Sequence, residues 1–143
     1  MSSAGAPREA RIRWEQLGWH PPAGEAGPGL EASNVGFLVV APWCPDCQDL
    51  GSAWKKLQAQ GRTCWLVGEF ASAGELQDYR GRLGIPWPFL LGTQSKTELA
   101  RLDARFRQIR GAFGDDRRWG VPSWIEGRIE HGWLIATAFK SNF

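Results

Sequence analysis

Hydrophobic residues in this chain come in two rhythms. The run VGFLVVA, Val35 to Ala41, is apolar without interruption and rich in branched side chains, the pattern of a strand buried on both faces of a largely parallel sheet. TCWLVGEF, Thr63 to Phe70, repeats it. Between them Cys47, Leu50, Trp54 and Leu57 recur at steps of three and four, which predicts one face of an amphipathic helix that Gly61 closes just past its last turn. Strand, helix, strand in that order gives parallel neighbours joined by a right-handed crossover.

Beyond this unit, SAGELQDYRGRLG (72–84) predicts a helix with a glycine stop, and WPFLL (87–91) a short strand. SKTELARLDARFRQIRGAFG (95–114) predicts a second long helix, with Ser95 and Glu98 spaced as a capping box and Leu99, Leu102, Phe106 and Ile109 as its core face. VPSWIEGRIEHGWLIATAF (121–139) reads as two short strands either side of Gly127, a hairpin. At the other end, REARIRWEQLGW (8–19) predicts one short helix or strand, and HPPAGEAGPGLEASN (20–34) a turn-rich connector. The expected organisation is therefore an extension and connector over 1–34, then one alternating α/β domain with an antiparallel edge over 35–143.

Composition narrows the function classes. A chain of 143 residues can bury a core without cross-links, and its three cysteines are too few for the disulfide framework of small secreted domains. The net charge of +2 is spread over interleaved acids and bases, so no basic face for nucleic acid is expected, and DDRRW (115–119) reads as a solvated mixed-charge loop. The first residues carry no long apolar segment behind their positive charges, so neither a secretory signal nor a membrane span is expected, and the expected compartment is the cytoplasm. Nine tryptophans are scattered along the chain and are expected mostly in the core; an exposed cluster would mark a binding surface.

The chemistry concentrates in APWCPDCQDL, Ala41 to Leu50, where a buried strand hands over to a helix. Cys44 would sit at the helix N-terminus, where free backbone N–H groups and the helix dipole favour a thiolate, the nucleophile of thiol-disulfide exchange. Cys47, one turn in, is spaced to attack a mixed disulfide on Cys44 and release the reduced substrate. Pro45 suits the first helical position, which needs no N–H donor, while Asp46 opposes a second negative charge beside it.

Two plainer readings compete. A structural zinc site needs four ligands, and only Cys64, His20 and His131 remain, without ligand spacing. Cys64 falls mid-strand and fits inert core packing.

VGFLVVAPWCPDC resembles the strand and active-site turn of the thioredoxin superfamily, with Trp43-Cys44-Pro45-Asp46-Cys47 matching its Trp-Cys-x-x-Cys motif. The resemblance implies a thioredoxin-like fold, a central mixed sheet flanked by helices. It also implies a cis proline opposite the cysteines. Pro122 in WGVPSW is the choice, because a hairpin follows it, with Val121 offering its main chain to a bound peptide. Pro86 or Pro88 is the rival, but a helix follows those. WPFLL and the next helix are then a strand-helix insertion before the cis-Pro hairpin, similar to that of peroxiredoxins and cytochrome-maturation proteins. Where thioredoxins bury an aspartate in the strand, this chain has Leu38, leaving Asp46, Glu69, Glu126 or water to handle the proton. The usual C-terminal helix is short or missing.

The expected activity is a cytosolic disulfide reductase working through the Cys44/Cys47 dithiol on protein or small-molecule disulfides, with Trp43 as a flanking wall. No bound cofactor is implied, and no nucleic-acid or membrane partner. Electrons would come, by resemblance, from a thioredoxin reductase or the glutathione system. Two alternatives remain: a peroxiredoxin-like peroxide reductase, weakened because the Pro-x-x-x-Thr-x-x-Cys context is absent before Cys44, and a non-catalytic thioredoxin-fold binding module.

Overall fold

The computed structural model describes residues 9–58, 61–92, 94, 108–114, 121–141 and 143. Its centre is a mixed six-stranded sheet in the order β1-β6-β5-β2-β3-β4. The strands are β1 (Ala10–Arg13), β2 (Ala32–Val40), β3 (Thr63–Gly68), β4 (Phe89–Leu91), β5 (Ser123–Glu130) and β6 (Trp133–Lys140). β2 pairs with β3 in parallel from Val35↔Thr63 to Val40↔Gly68, and β4 continues the parallel set. β5 lies antiparallel on the other side of β2, followed by β6 and β1.

The two apolar runs are the two central strands, and both of their faces are buried. Phe37, Val39, Trp65 and Val67 face one core layer, with Ile125, Leu17, Trp19 and Ile109 of a helical turn at 108–112. Leu38, Val40 and Leu66 face the other, with Cys47, Trp54, Leu76 and Tyr79. Strand alternation sends successive side chains to opposite faces, so an unbroken apolar run needs a layer on each.

The helical layer departs from the expected single helix. The periodic residues divide between α2 (Pro45–Gln48) and α3 (Trp54–Leu57). Gly51, with φ 57°, stands in the left-handed region between them, where a helix cannot continue. Cys47, Leu50, Trp54 and Leu57 are all buried nonetheless, because the break keeps one side of the segment on the sheet. α4 (Ala73–Leu83) follows the prediction, starting at a Ser72/Glu75 capping box and ending at left-handed Gly84. The capping box expected at Ser95/Glu98, the core positions Leu99, Leu102 and Phe106, and the run 115–119 lie outside the described residues.

The N-terminal part of the chain and the hairpin add two features to the sheet. The segment expected as an extension and connector contributes to both edges of the sheet: β1 pairs with β6, and the His20 and Leu91 backbones exchange hydrogen bonds of 3.1 and 2.7 Å. Ala10, Ile12, Leu17 and Trp19 are buried there, a short apolar set that joins Phe37, Ile129 and Leu134 in one core layer. The hairpin turns at His131 and Gly132, both at positive φ, instead of at Gly127. Gly127 lies inside β5 at a pairing irregularity, where a Cβ would run into the backbone of Ile135. β6 takes the place where a C-terminal helix was expected to be short or missing.

Trp54, Trp65, Trp87 and Trp124 are buried, as the composition suggested, while Trp43 is 55% exposed. Trp54 meets Trp87 edge to face at 5.7 Å between centroids, and Trp87 in turn contacts Trp124, tilted, at 6.1 Å. The Trp124 ring fills the space where a Gly36 side chain would stand, and its N–H donates to Glu126 at 2.8 Å. No helix among the described residues is long and apolar enough to cross a membrane.

Gly36→Ala therefore places a methyl inside the Trp124 ring and is expected to lower unfolding stability by about 2–3 kcal/mol, since overpacked cores yield by backbone shift. Gly81→Ala, exposed in α4 with open space at its Cβ, is expected to raise it by about 0.5–1 kcal/mol. Urea titrations of the two variants check both signs.

Candidate active site

The site grows from the end of β2. The carbonyl of Val40, the last residue of β2, still bonds across to the neighbouring segment, accepting the N–H of Glu69 just past β3 at 2.8 Å. Ala41 then accepts the Cys44 N–H at 2.9 Å, closing a turn through Pro42 and Trp43. Cys44 is extended, at φ −80° and ψ 129°, and forms the N-cap of α2, with Pro45 at the first helical position. The Gln48 side chain ties the turn back by donating to the Pro42 carbonyl at 3.1 Å. Because α2 is a single turn, the dipole of a long helix that the periodicity implied is replaced by the local N–H groups of that turn.

The two thiols differ in exposure. Cys44 is partly exposed beside the exposed Trp43 ring, whereas Cys47 is completely buried. The Cys47 Sγ accepts the Ala41 N–H at 3.4 Å and its carbonyl accepts the Tyr79 hydroxyl at 2.6 Å. Burial pushes the Cys47 thiol up to about 12, against the lowering effect of the Ala41 N–H and with smaller raising effects from Cys44 and Asp46. Both cysteines are free thiols.

The strand register brings the second half of the site alongside. Val39 pairs with Ser123, so the residues just before β5, Val121 and Pro122, stand at the level where β2 gives way to the cysteine turn. The Val121–Pro122 bond is cis, and the bonds preceding Pro86 and Pro88 are trans. Val121 is half-buried and packs against the core cluster that holds Cys47 and Cys44. Pro88 belongs instead to the edge of the sheet, where its carbonyl accepts the Leu66 N–H.

Of the groups considered for proton handling, Leu38 is buried hydrocarbon, Asp46 is exposed on α2, and Glu69 is buried at the end of β3. Glu126 lies elsewhere: it opposes Gly36 at the start of the buried part of β2 and pairs with Arg62 at 3.4 Å. Cys64 also pairs with Gly36, at the end of the sheet remote from Cys44, and burial pushes its thiol up to about 11. His20 stands on the β4 edge and His131 in the hairpin turn, and among the described residues no three His, Cys, Asp or Glu side chains gather as metal ligands. Tyr79 was not singled out by sequence. It is the chain's one tyrosine, 32 residues from Cys47, and only the packing of α4 on α2 brings the two together.

The architecture matches solved structures across most of the chain. A secreted Mycobacterium tuberculosis disulfide oxidoreductase homologous to E. coli DsbE superposes with a TM-score of 0.55 at 15% identity, over 90% of each chain. The chain has the thioredoxin fold. The thioredoxin domain of a thiol-disulfide oxidoreductase from Bacteroides vulgatus superposes at 0.53 and 10% identity, over 98% of this chain and 91% of that one. MTB dsbF, in mixed oxidised and reduced forms, gives 0.51 at 15% identity over 86% of each. No family model matches the chain, and no curated protein does. Of the segment read from sequence as a strand-helix insertion, the described residues include β4 and a helical turn at 108–112.

The buried thiol has a consequence for stability. Its pKa is higher folded than its ordinary 9.0, so the fold holds the proton more tightly than the unfolded chain does. That stabilisation is complete below about pH 9 and is lost as pH rises toward 12, at up to about 1.4 kcal/mol per pH unit for each such thiol. Cys64 acts in the same direction. The urea midpoint of the reduced protein is expected to fall between pH 9 and 10.5, and Cys47→Ala to flatten that slope; a midpoint independent of pH there contradicts the assignment.

Proposed function

We propose that the protein is a thiol-disulfide oxidoreductase that works through Cys44 and Cys47. The observation that carries this is the unequal placement of the two thiols: one partly exposed at the N-cap of α2, the other buried one turn behind it, beside a cis Val121–Pro122 bond. A Cys44 thiolate attacks one sulfur of a substrate disulfide, forming a mixed disulfide and expelling the first substrate thiolate. Cys47 then gives up its proton and attacks Cys44 Sγ, closing the intramolecular disulfide and releasing the second substrate thiol. Two electrons pass from the dithiol to the substrate.

Val121 offers its main chain to an extended substrate segment, and the exposed Trp43 ring forms a wall beside Cys44. The structures it resembles are named as disulfide oxidoreductases, which supports the reaction class. We place the chain in the reducing direction and in the cytoplasm, on the odd third cysteine and the absence of a disulfide framework; an external dithiol donor, a thioredoxin reductase or the glutathione system, would restore the reduced form.

The reduction potential of the Cys44/Cys47 pair in a Cys64→Ser background tests the direction. A value near the roughly −270 mV of thioredoxin fits a reductase, and one near the roughly −120 mV of strong oxidants reverses the assigned electron flow. In dithiothreitol-driven reduction of insulin, Cys44→Ser is expected to abolish activity and Cys47→Ser to accumulate a mixed disulfide visible by mass spectrometry. Wild-type activity in Cys44→Ser would falsify the proposed role of that thiol.

A further inference from the structure

The carbonyl of Cys47 has an unusual partner. In a continuous helix it would accept the N–H four residues on, from Gly51, but the chain turns left-handed at that glycine and α2 stops at Gln48. The backbone reaches this carbonyl with the Leu50 N–H at 3.4 Å. The Tyr79 hydroxyl, carried by a separate helix, donates to the same oxygen at 2.6 Å, a shorter contact.

Tyr79 is 1% exposed and packs in the same core layer as Cys47, Leu50, Trp54 and Leu76. Its helix is itself firmly placed, with a complete capping box at one end and a left-handed glycine at the other. The phenol is therefore a fixed post, and α2 is a short piece that needs one. Burial above all, then the charge of Cys47, moves the phenol pKa up against the opposing pull of Arg82, which keeps the hydroxyl a neutral donor. Cys44 contributes to the same upward shift, so the phenol is within electrostatic reach of both thiols.

We propose that Tyr79 is a positioning residue for the resolving step, its hydroxyl replacing the helical hydrogen bond that the break at Gly51 removes and so holding Cys47 Sγ buried behind Cys44. This rests on the disulfide-exchange reading above. The first attack is made by Cys44 at the other end of α2, before the turn that Tyr79 grips, and does not need the hydroxyl. The second attack needs Cys47 held on the Cys44 side of the turn, and does. Phenylalanine at this position would fill the core equally and leave the carbonyl without its short contact.

The probe is dithiobis(nitrobenzoate), reacted with the reduced full chain in a Cys64→Ser background. Cys44 attack releases one thionitrobenzoate and leaves a mixed disulfide; Cys47 loses its proton to solvent, attacks Cys44 Sγ and releases the second, so the dithiol loses two electrons and the reagent gains them. Tyr79→Phe is expected to leave release of the first equivalent within about twofold of the parent and to slow the second about five- to tenfold, the worth of one buried neutral hydrogen bond. A second measurement needs no activity: with Cys44→Ser also present, iodoacetamide alkylation of Cys47 is expected to speed up by a similar factor in Tyr79→Phe, because the loosened turn exposes the thiol. Unchanged second-phase and alkylation rates overturn the proposal. So do two phases slowed alike with a lowered melting temperature, which assign the hydroxyl to fold stability alone. If the parent releases no thionitrobenzoate, the exchange reading fails, while the alkylation comparison still decides whether Tyr79 positions Cys47.

Discussion

Everything at the site depends on β2 being hydrogen-bonded on both sides. Its parallel partner β3 and antiparallel partner β5 fix its last residues, Val39 and Val40, in register with Val67, Gly68 and Ser123. The chain on either side of that register forms the candidate site: the cysteine turn extends from the end of β2, and Val121–Pro122 leads into the start of β5. A one-residue slip between β2 and β5 would turn Phe37 and Val39 toward the helical layer and misplace the cis bond relative to the cysteines. Because both faces of β2 are buried, such a slip is costly throughout its length.

The remote end of the same strand shows what secures this register. Gly36 is bare so that Trp124 can lie on it; Trp124 in turn meets Trp87, hydrogen-bonds Glu126 and lies under the Arg62 guanidinium at 5.7 Å. Arg62 ties that edge to α3 by donating to the Leu57 carbonyl at 2.7 Å. These contacts anchor β5 against β2 by a side chain specific to one pairing, in a way that interchangeable aliphatic residues could not. Glu126 and Cys64 belong to this anchoring end: the acid considered for proton handling pairs instead with Arg62 and Trp124, and the thiol is buried, as its mid-strand position suggested.

At the working end, the helical layer serves placement more than bulk. α2 and α3 are one turn each, and neither has the length to be stable alone. They are held by burial of Cys47, Leu50, Trp54 and Leu57 and by side-chain hydrogen bonds from Gln48, Trp54 and Tyr79 to backbone carbonyls. A short helix tied down at several points sets one cysteine at the surface and one in the core, an asymmetry that a two-step exchange needs.

Periodicity and local chemistry were enough for the α/β class, the two buried strands, α4 with its glycine stop, β4, and the Cys44/Cys47 pair at a strand end, because each is a property of neighbouring residues. The motif also led to Pro122 over Pro86 and Pro88, through the hairpin that follows it. Misreadings came where a local pattern had two physical realisations. Steps of three and four from Cys47 to Leu57 suit one helix or two short ones on the same side, and Gly51 decides between them. A glycine between two strand-like runs suits a turn or a bulge, and Gly127 is the bulge because His131 and Gly132 supply the positive φ. The N-terminal segment, too short and turn-rich to declare a core role, becomes both edges of the sheet through partners more than 70 residues away. The grip of Tyr79 on Cys47 likewise exists only between helices that folding brings together. The sequence by itself determined that two cysteines stand two residues apart at the end of a buried strand; tertiary structure decided which residues surround them, because burial and long-range hydrogen bonds are set by pairs that no local window contains.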